Sequence, residues 1–163
     1  MTSIDTERLA TSHEYAGFGV RFFATIIDTL ILMLITYPFL YLIYGSYYWE
    51  SDEYFLGFAD FLLSFALPIV GTIAFWMYKA ATPGKMSLKL AVVDAKTGGK
   101  LTLQQSIIRY IGYVISALPL FLGYLWVAFD PKKQALHDKL AGSVVIRPKD
   151  SGVSDVIFSS ENT

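Results

Sequence analysis

Two long apolar runs joined by a short polar loop dominate the chain. The first, from about Gly19 to Tyr44, contains Arg21 and Asp28 as its only charges. The second, from about Tyr54 to Tyr78, contains only Asp60. At 1.5 Å of rise per residue each run is about 35 Å long, enough to cross a hydrocarbon core of about 30 Å with some tilt. The pattern predicts two transmembrane helices. Pro68 should kink the second one, which lipid-embedded helices tolerate when neighbours satisfy the freed carbonyl.

A third run, Ile111 to Phe129, has 19 residues without a charge. Pro119 and Gly123 cut it into halves that each cover about half a bilayer. The stretch "LKLAVVDAKTGGKLTL" alternates and carries β-branched residues around a Lys-Thr-Gly-Gly turn, so it reads as a β-hairpin; "GSVVIRP" reads as a further short strand. A two-stranded hairpin is marginal alone, and the later strand supports it only if both lie on one side of the membrane. The favoured expectation is a third segment that dips in and returns. A plain third crossing with an outside C-terminus stays open.

Charge placement orients these elements. No lysine or arginine lies between Arg21 and Lys79, and the loop "GSYYWESDEY" carries three acids. Lys79, Lys85, Lys89, Lys96, Lys100 and Arg109 then follow closely. Excess positive charge marks the cytoplasmic side, so both termini are expected there and the acidic loop outside. Tyr41, Tyr44, Tyr47, Tyr48, Trp49 and Tyr54 would form the outer aromatic belt, and Trp76 with Tyr78 the inner one. Residues 1–19 hold three acids and one arginine before an apolar run too long for an h-region, so no secretory signal is expected.

Composition agrees with lipid contact. Of the 163 residues 54% are hydrophobic, with a mean hydropathy of +0.46, whereas soluble domains lie nearer 45–50%. The formal net charge of -1 gives no case for a nucleic-acid partner. Without cysteine, disulfides, thiolate metal sites and cysteine nucleophiles are excluded.

The charges inside the apolar runs are the candidate chemistry. Arg21 and Asp28, seven residues apart, fall within about 20° of one helix face. Arg21 can snorkel, whereas Asp28 would lie about 12 Å deep. An isolated ionised aspartate at a helix centre costs about 2.5–3.5 kcal/mol on insertion scales. Asp28 therefore needs protonation, a cation from another helix, or a wet cavity. It would act as an ion, proton or substrate contact, or simply as a polar clamp. Arg21 and Arg109 are the nearest plausible cations, and Asp60 lies near the outer headgroups. "TPGK", Thr82 to Lys85, fails as a phosphate loop, since no glycine precedes Gly84 by five residues and Met86 replaces Ser or Thr. It reads as a turn opening the hairpin, with Lys85 at the interface. "DPKKQALHDKLAGS" reads as an Asp-Pro turn and a short amphipathic helix. His137 with Asp138 forms no ligand cluster or catalytic spacing. No metal, cofactor or catalytic role is expected, and the protein is not expected to be an enzyme.

With these residues in view, the chain resembles the RDD family of small membrane proteins, named for one arginine and two aspartates. The matching stretches are "YAGFGVRFFATIIDTLIL", "ATPGKMSLKLAVVDAKTGGKLTLQQSIIRYIGY" and "LWVAFDPKKQALHDKLAGSVVI". The resemblance sets the family's arginine on Arg21, its first aspartate on Asp28 and its second on Asp138, with Asp130 as the second choice. Ser143 stands where threonine would be expected. The family resemblance implies a membrane protein, often suggested to act in transport, with some relatives proposed as cation/proton antiporters.

The expected fold class is an all-α integral membrane protein with two transmembrane helices, a third broken or re-entrant hydrophobic helix, and a small cytoplasmic β-hairpin. The expected organisation is a polar segment at 1–14, an RDD-like membrane domain at 15–147 and a flexible tail at 148–163. Within the domain lie the helices at about 19–44 and 54–78, the hairpin at about 86–104, the third segment at about 106–129, and the amphipathic segment and strand at 130–147. The expected function is movement of a small ion or solute across the bacterial cytoplasmic membrane by a homo-oligomer, since two or three helices cannot enclose a pathway alone. Arg21, Asp28 and Asp138 would form its polar network, with Arg109, Lys85, Asp130 and Asp60 as secondary candidates. The rival reading is a non-catalytic assembly or anchoring subunit. The partners expected are the lipid bilayer, further copies of the chain and an unidentified small ion or solute.

Overall fold

The computed structural model describes residues 13–119 and 122–149. Most of the polar segment and most of the tail expected at the two termini lie outside the described residues. The chain starts with strand β1, His13–Tyr15, and enters helix α1, Phe18–Tyr44. A short helix α2, Tyr47–Glu50, follows, and then the second long helix α3, Phe58–Lys79. Beyond it come helix α4, Pro83–Ser87, and strand β2, Ala91–Asp94. Helix α5, Leu103–Ala117, and α6, Leu122–Leu125, the latter prolonged by a 3₁₀ turn, make up the third hydrophobic segment. Helix α7, Leu136–Ala141, and strand β3, Ser143–Pro148, close the fold.

Both long helices form because they are apolar on nearly every side, and almost all of their surface is exposed. A helix that is hydrophobic all round belongs in lipid or against other helices. They meet at the end remote from the sheet, where the Asp60 N–H donates to the Tyr44 hydroxyl at 3.2 Å. Pro68 leaves its mark as a π-turn over Leu62–Ala66, in which the Leu67 N–H reaches back five residues to the Leu62 carbonyl. Proline has no N–H to offer residue 64, and the wider turn re-registers the bonds around that gap.

At the other end sits a small cap whose core is Ala16, Ala24, Trp76, Leu90, Val92, Leu101 and Val145. Its sheet is antiparallel in the order β1-β3-β2. Val92 pairs with Val145 and Val93 with Val144, while Glu14 pairs with Arg147 and bonds to it through their side chains. These strands come from before α1, after α3 and after the third hydrophobic segment.

The hairpin expected over about 86–104 is thus corrected. Only Ala91–Asp94 is a strand, and it pairs with Ser143–Pro148 across about fifty residues of chain. The return arm instead starts helix α5. The Thr102 hydroxyl caps the Gln105 N–H at 3.2 Å, and Gln105 answers on the Thr102 N–H at 3.0 Å, a reciprocal box that opens helices. The fold class is correspondingly mixed: mostly helical, with two or three helices able to span and a three-stranded sheet.

Helix α5 is turned inside out. Its polar and small residues Ser106, Arg109, Gly112 and Ser116 are buried, while Leu103, Ile107, Ile111, Val114 and Leu118 are exposed. Helices α5 and α6 meet at 113°, so the third segment is bent where Pro119 interrupts it. Trp76, expected in the inner aromatic belt, is instead fully buried beneath α5; Tyr78 is exposed.

Candidate functional site: a buried charge network at the sheet end

Helix α7 is short, and its one acid serves several masters. The Asp138 carboxylate is fully buried. Its Oδ2 accepts from the Ala135 N–H at 3.0 Å, closing the first turn of α7. The same oxygen takes a hydrogen bond from the Arg21 guanidinium of α1 at 2.5 Å, and Oδ1 meets the Arg109 guanidinium of α5 at 2.6 Å. One carboxylate therefore joins three helices.

Each arginine is held by more than its charge. Arg21 also donates to the Ala16 carbonyl at 2.9 Å and the Lys133 carbonyl at 2.7 Å. Arg109, 1% exposed, donates to Ser143 Oγ at the start of β3 and lies 5.2 Å from the centre of the Trp76 ring. Its Nε, the Trp76 Nε1 and Asp138 Oδ1 have no hydrogen-bond partner among the described residues, so Oδ1 is held by the Arg109 charge alone. Burial opposes ionisation of Asp138, but Arg109, then Arg21, overturn it and hold the carboxyl down at about 2.

His137 lies beside this pair. Its Nδ1 is 3.3 Å from Ser116 Oγ and its Nε2 is 3.6 Å from Asp138 Oδ1. Burial first, then the positive charges of Arg109, Arg21 and Lys85 against the pull of Asp138, push its pKa down to about 3, so the ring is neutral. Ser116, His137 and Asp138 thus fall in a line. However, Ser116 is fully buried and its hydroxyl donates to the Gly112 carbonyl at 2.7 Å. The backbone passes so close that a Cβ on Gly112 would lie 2.8 Å from His137 Cβ, and one on Gly123 2.6 Å from Ser116 Cα. This packing leaves no approach to the hydroxyl.

Asp28 forms the second cluster. Its Oδ1 accepts the Gly84 N–H at 2.6 Å and its Oδ2 accepts the Thr82 hydroxyl at 2.5 Å. Lys85 Nζ lies 3.8 Å from Oδ2 and 3.4 Å from Thr82 Oγ1. The carboxylate on α1 therefore caps the first turn of α4, where free N–H groups and the helix dipole favour an anion. Gly84 makes the approach possible: a Cβ there would lie 2.8 Å from Asp28 Cγ and 2.7 Å from its backbone nitrogen. "TPGK" is therefore not the turn of a hairpin but a helical first turn docked on α1.

Neither arginine pairs with Asp28. The seven-residue spacing puts Arg21 and Asp28 on one face, but the face meets two different elements, α7 at Arg21 and α4 at Asp28. Nor does Asp28 lie midway between the helix ends shared by α1 and α3. It is sixteen residues before Tyr44, and Trp76 is sixteen after Asp60, about 24 Å in each case. Asp28 is thus level with the last turn of α3.

The secondary candidates separate. Lys85 is 7% exposed and joins the Asp28 cluster. Asp130 accepts from the Lys132 and Gln134 N–H groups at 3.1 Å each and pairs with Lys139; it closes the turn before α7 and is not part of the network. Asp60 is buried at the far end of the helix pair. The sequence reading missed Thr82, Gly84, Ser143 and His137 as network members. The helix-opening proline in "TPGK" was the signal for an anion at α4. Among the described residues no group of three His, Cys, Asp or Glu side chains is placed to hold a metal ion.

Comparison with known proteins agrees with the architecture. The RDD family model matches residues 15–142. The chain is 29% identical to the uncharacterized membrane protein YteJ of Bacillus subtilis over 85% of its own length and 84% of the relative's. It is 29% identical to the uncharacterized protein YxaI of the same organism, over 80% of the chain and 96% of YxaI. A 75-residue stretch is 44% identical to the uncharacterized protein RP437 of Rickettsia prowazekii, covering 46% of this chain and 41% of that one. No solved structure matches. The chain belongs to the RDD family of membrane proteins.

Proposed function

We propose that this RDD-family protein is a multi-pass protein of the cytoplasmic membrane that acts as a non-catalytic assembly or anchoring subunit, its buried charges serving to fix one packing of helices and cap. The observation that carries this reading is that each signature aspartate is bound by partners from other elements. Asp138 is shared by two arginines and a backbone N–H, and Asp28 is held by a hydroxyl, a backbone N–H and Lys85. Polar groups joined across helices in this way specify packing.

The sheet supports the topology. Strands β1, β2 and β3 must lie on one side to bond, so α1 and α3 cross once each and the third segment leaves and returns on that side. The exposed apolar face of α5 suits a segment that lies in or dips into one leaflet. The lysines flanking β2 make that side cytoplasmic. On this reading the first turns of α1 stand among cap residues, and Asp28 sits near the inner boundary rather than about 12 Å beyond it.

A second reading, transport of a small ion or solute by a homo-oligomer, with cation/proton exchange as one form, is favoured by the part-exposed Asp28 carboxylate 3.8 Å from the Lys85 ammonium. Proteoliposomes separate the two. Assembly predicts no proton-coupled cation flux from the wild type, and loss of the folded state or of its oligomers with Asp28→Asn. Flux that vanishes in Asp28→Asn while the folded oligomer persists would establish transport instead.

A further inference from the structure

Asp60 differs from every other buried acid described. It is 5% exposed, yet no lysine, arginine or histidine nitrogen among the described residues pairs with it within 4.0 Å. Residues 22–78 contain no lysine or arginine, and the adjoining loop adds Glu50, Asp52 and Glu53. Its two contacts are neutral donors: Ser64 Oγ to Oδ1 at 2.7 Å and the Leu56 N–H to Oδ2 at 3.2 Å. Two hydrogen bonds orient a carboxylate but leave its charge unbalanced, and an unbalanced buried charge is costly.

The surroundings are oxygen-rich. The Tyr44 hydroxyl accepts the Asp60 N–H at 3.2 Å, which pins α1 to the start of α3 at this corner. Ser64, whose hydroxyl meets the carboxylate, lies in the π-turn. A carboxylate and two hydroxyls are hard donors. They suit alkali or alkaline-earth ions rather than thiophilic metals. With one carboxylate the charge balances a monovalent ion; a divalent ion is ordinarily held by more acids.

We propose that the Asp60–Ser64–Tyr44 corner binds a monovalent alkali cation at the end of the helix pair remote from the sheet. The site is separate from the charge network and stands whether or not that network transports anything. The bound ion would tie α1 to α3 at the point where they meet, so occupancy and helix pairing are coupled.

The test uses the full chain in nanodiscs of zwitterionic lipid. Thermal unfolding is followed while sodium or potassium chloride replaces choline chloride at constant ionic strength. A midpoint that climbs with alkali concentration is the expected result, as linkage requires of an ion that binds only the folded state. Asp60→Asn should abolish the climb and Ser64→Ala should weaken it. Identical midpoints in alkali and choline, or an equal climb in both variants and wild type, overturn the proposal. So does stabilisation by acid alone, which would make the occupant a proton. An alkali-independent midpoint with a change of oligomeric state in Asp60→Asn would assign the corner to a cationic group of another copy. Should Asp60→Asn not fold, the Ser64→Ala titration decides by itself, an undiminished climb counting against the site.

Discussion

At the sheet end of the helix pair, carboxylates face cations: the buried Asp138 meets Arg21 and Arg109, and the half-buried Asp28 meets Lys85. At the opposite end Asp60 is buried as deeply as Lys85, but among the described residues its carboxylate faces only a hydroxyl and an amide. The same residue type thus performs two tasks. A carboxylate between two guanidinium groups is structural, because removing it strands the fully buried Arg109 and a mostly buried Arg21. A carboxylate without a counter-charge stores an unmet demand, which another group or ion can satisfy.

The largest expected effect tests the first half of that contrast. Asp138→Asn leaves two arginines at the cap without their anion, and breaking a buried pair in this way costs about 3–5 kcal/mol. Equilibrium unfolding in mixed micelles would show it, and a loss below about 1 kcal/mol would mean that the arginines had found water.

Gly84→Ala comes next. The new methyl group would strike Asp28 and the Ala24 backbone, with a loss of about 1–3 kcal/mol from overpacking. Because the collision displaces α4, fluorescence or cross-linking between residues introduced on α1 and α4 should report the same separation.

Acid should weaken the cap. His137 is neutral in the fold, with its pKa held at about 3 against an ordinary 6.5. Between those values the unfolded chain binds a proton that the folded chain does not, so stability falls as pH falls, by at most about 1.4 kcal/mol per pH unit. Asp138, held at about 2, adds its own loss as pH drops from about 4 toward 2. His137→Gln should flatten the slope between pH 6.5 and 4 and leave the lower part in place. An unchanged slope would show that the imidazole titrates normally.

The smallest effect belongs to Asp60→Asn. In alkali-free buffer it removes a charge with no partner, and its amide oxygen can still accept a hydrogen bond, so the expected change is within about 1 kcal/mol. A loss matching that of Asp138→Asn would erase the difference between the two ends.

Much of this arrangement was legible in the residue order. Length and apolar content alone identified α1 and α3 as spans, because burial in lipid depends on composition along one helix. The break at Pro119 was visible, as was the strand at "GSVVIRP". The false hairpin shows the limit. Val92 and Val93 satisfy strand alternation against any partner, and the choice of Val144 and Val145 rests on chain segments about fifty residues apart. The Thr102–Gln105 box, which could have excluded a return strand, is a local signal that was available.

Which acid meets which cation was a different kind of question. The order of residues establishes that Asp28 lies in an apolar run, that Arg21 and Asp28 share a face, and that Asp138 lies on a short amphipathic segment. Only the folded chain decides that α7 docks at Arg21 and α4 at Asp28, and that nothing cationic among the described residues reaches Asp60. Helix periodicity acts over a few residues and is written locally. Charge compensation depends on which distant elements pack together, and that is settled by the sheet and cap as a whole.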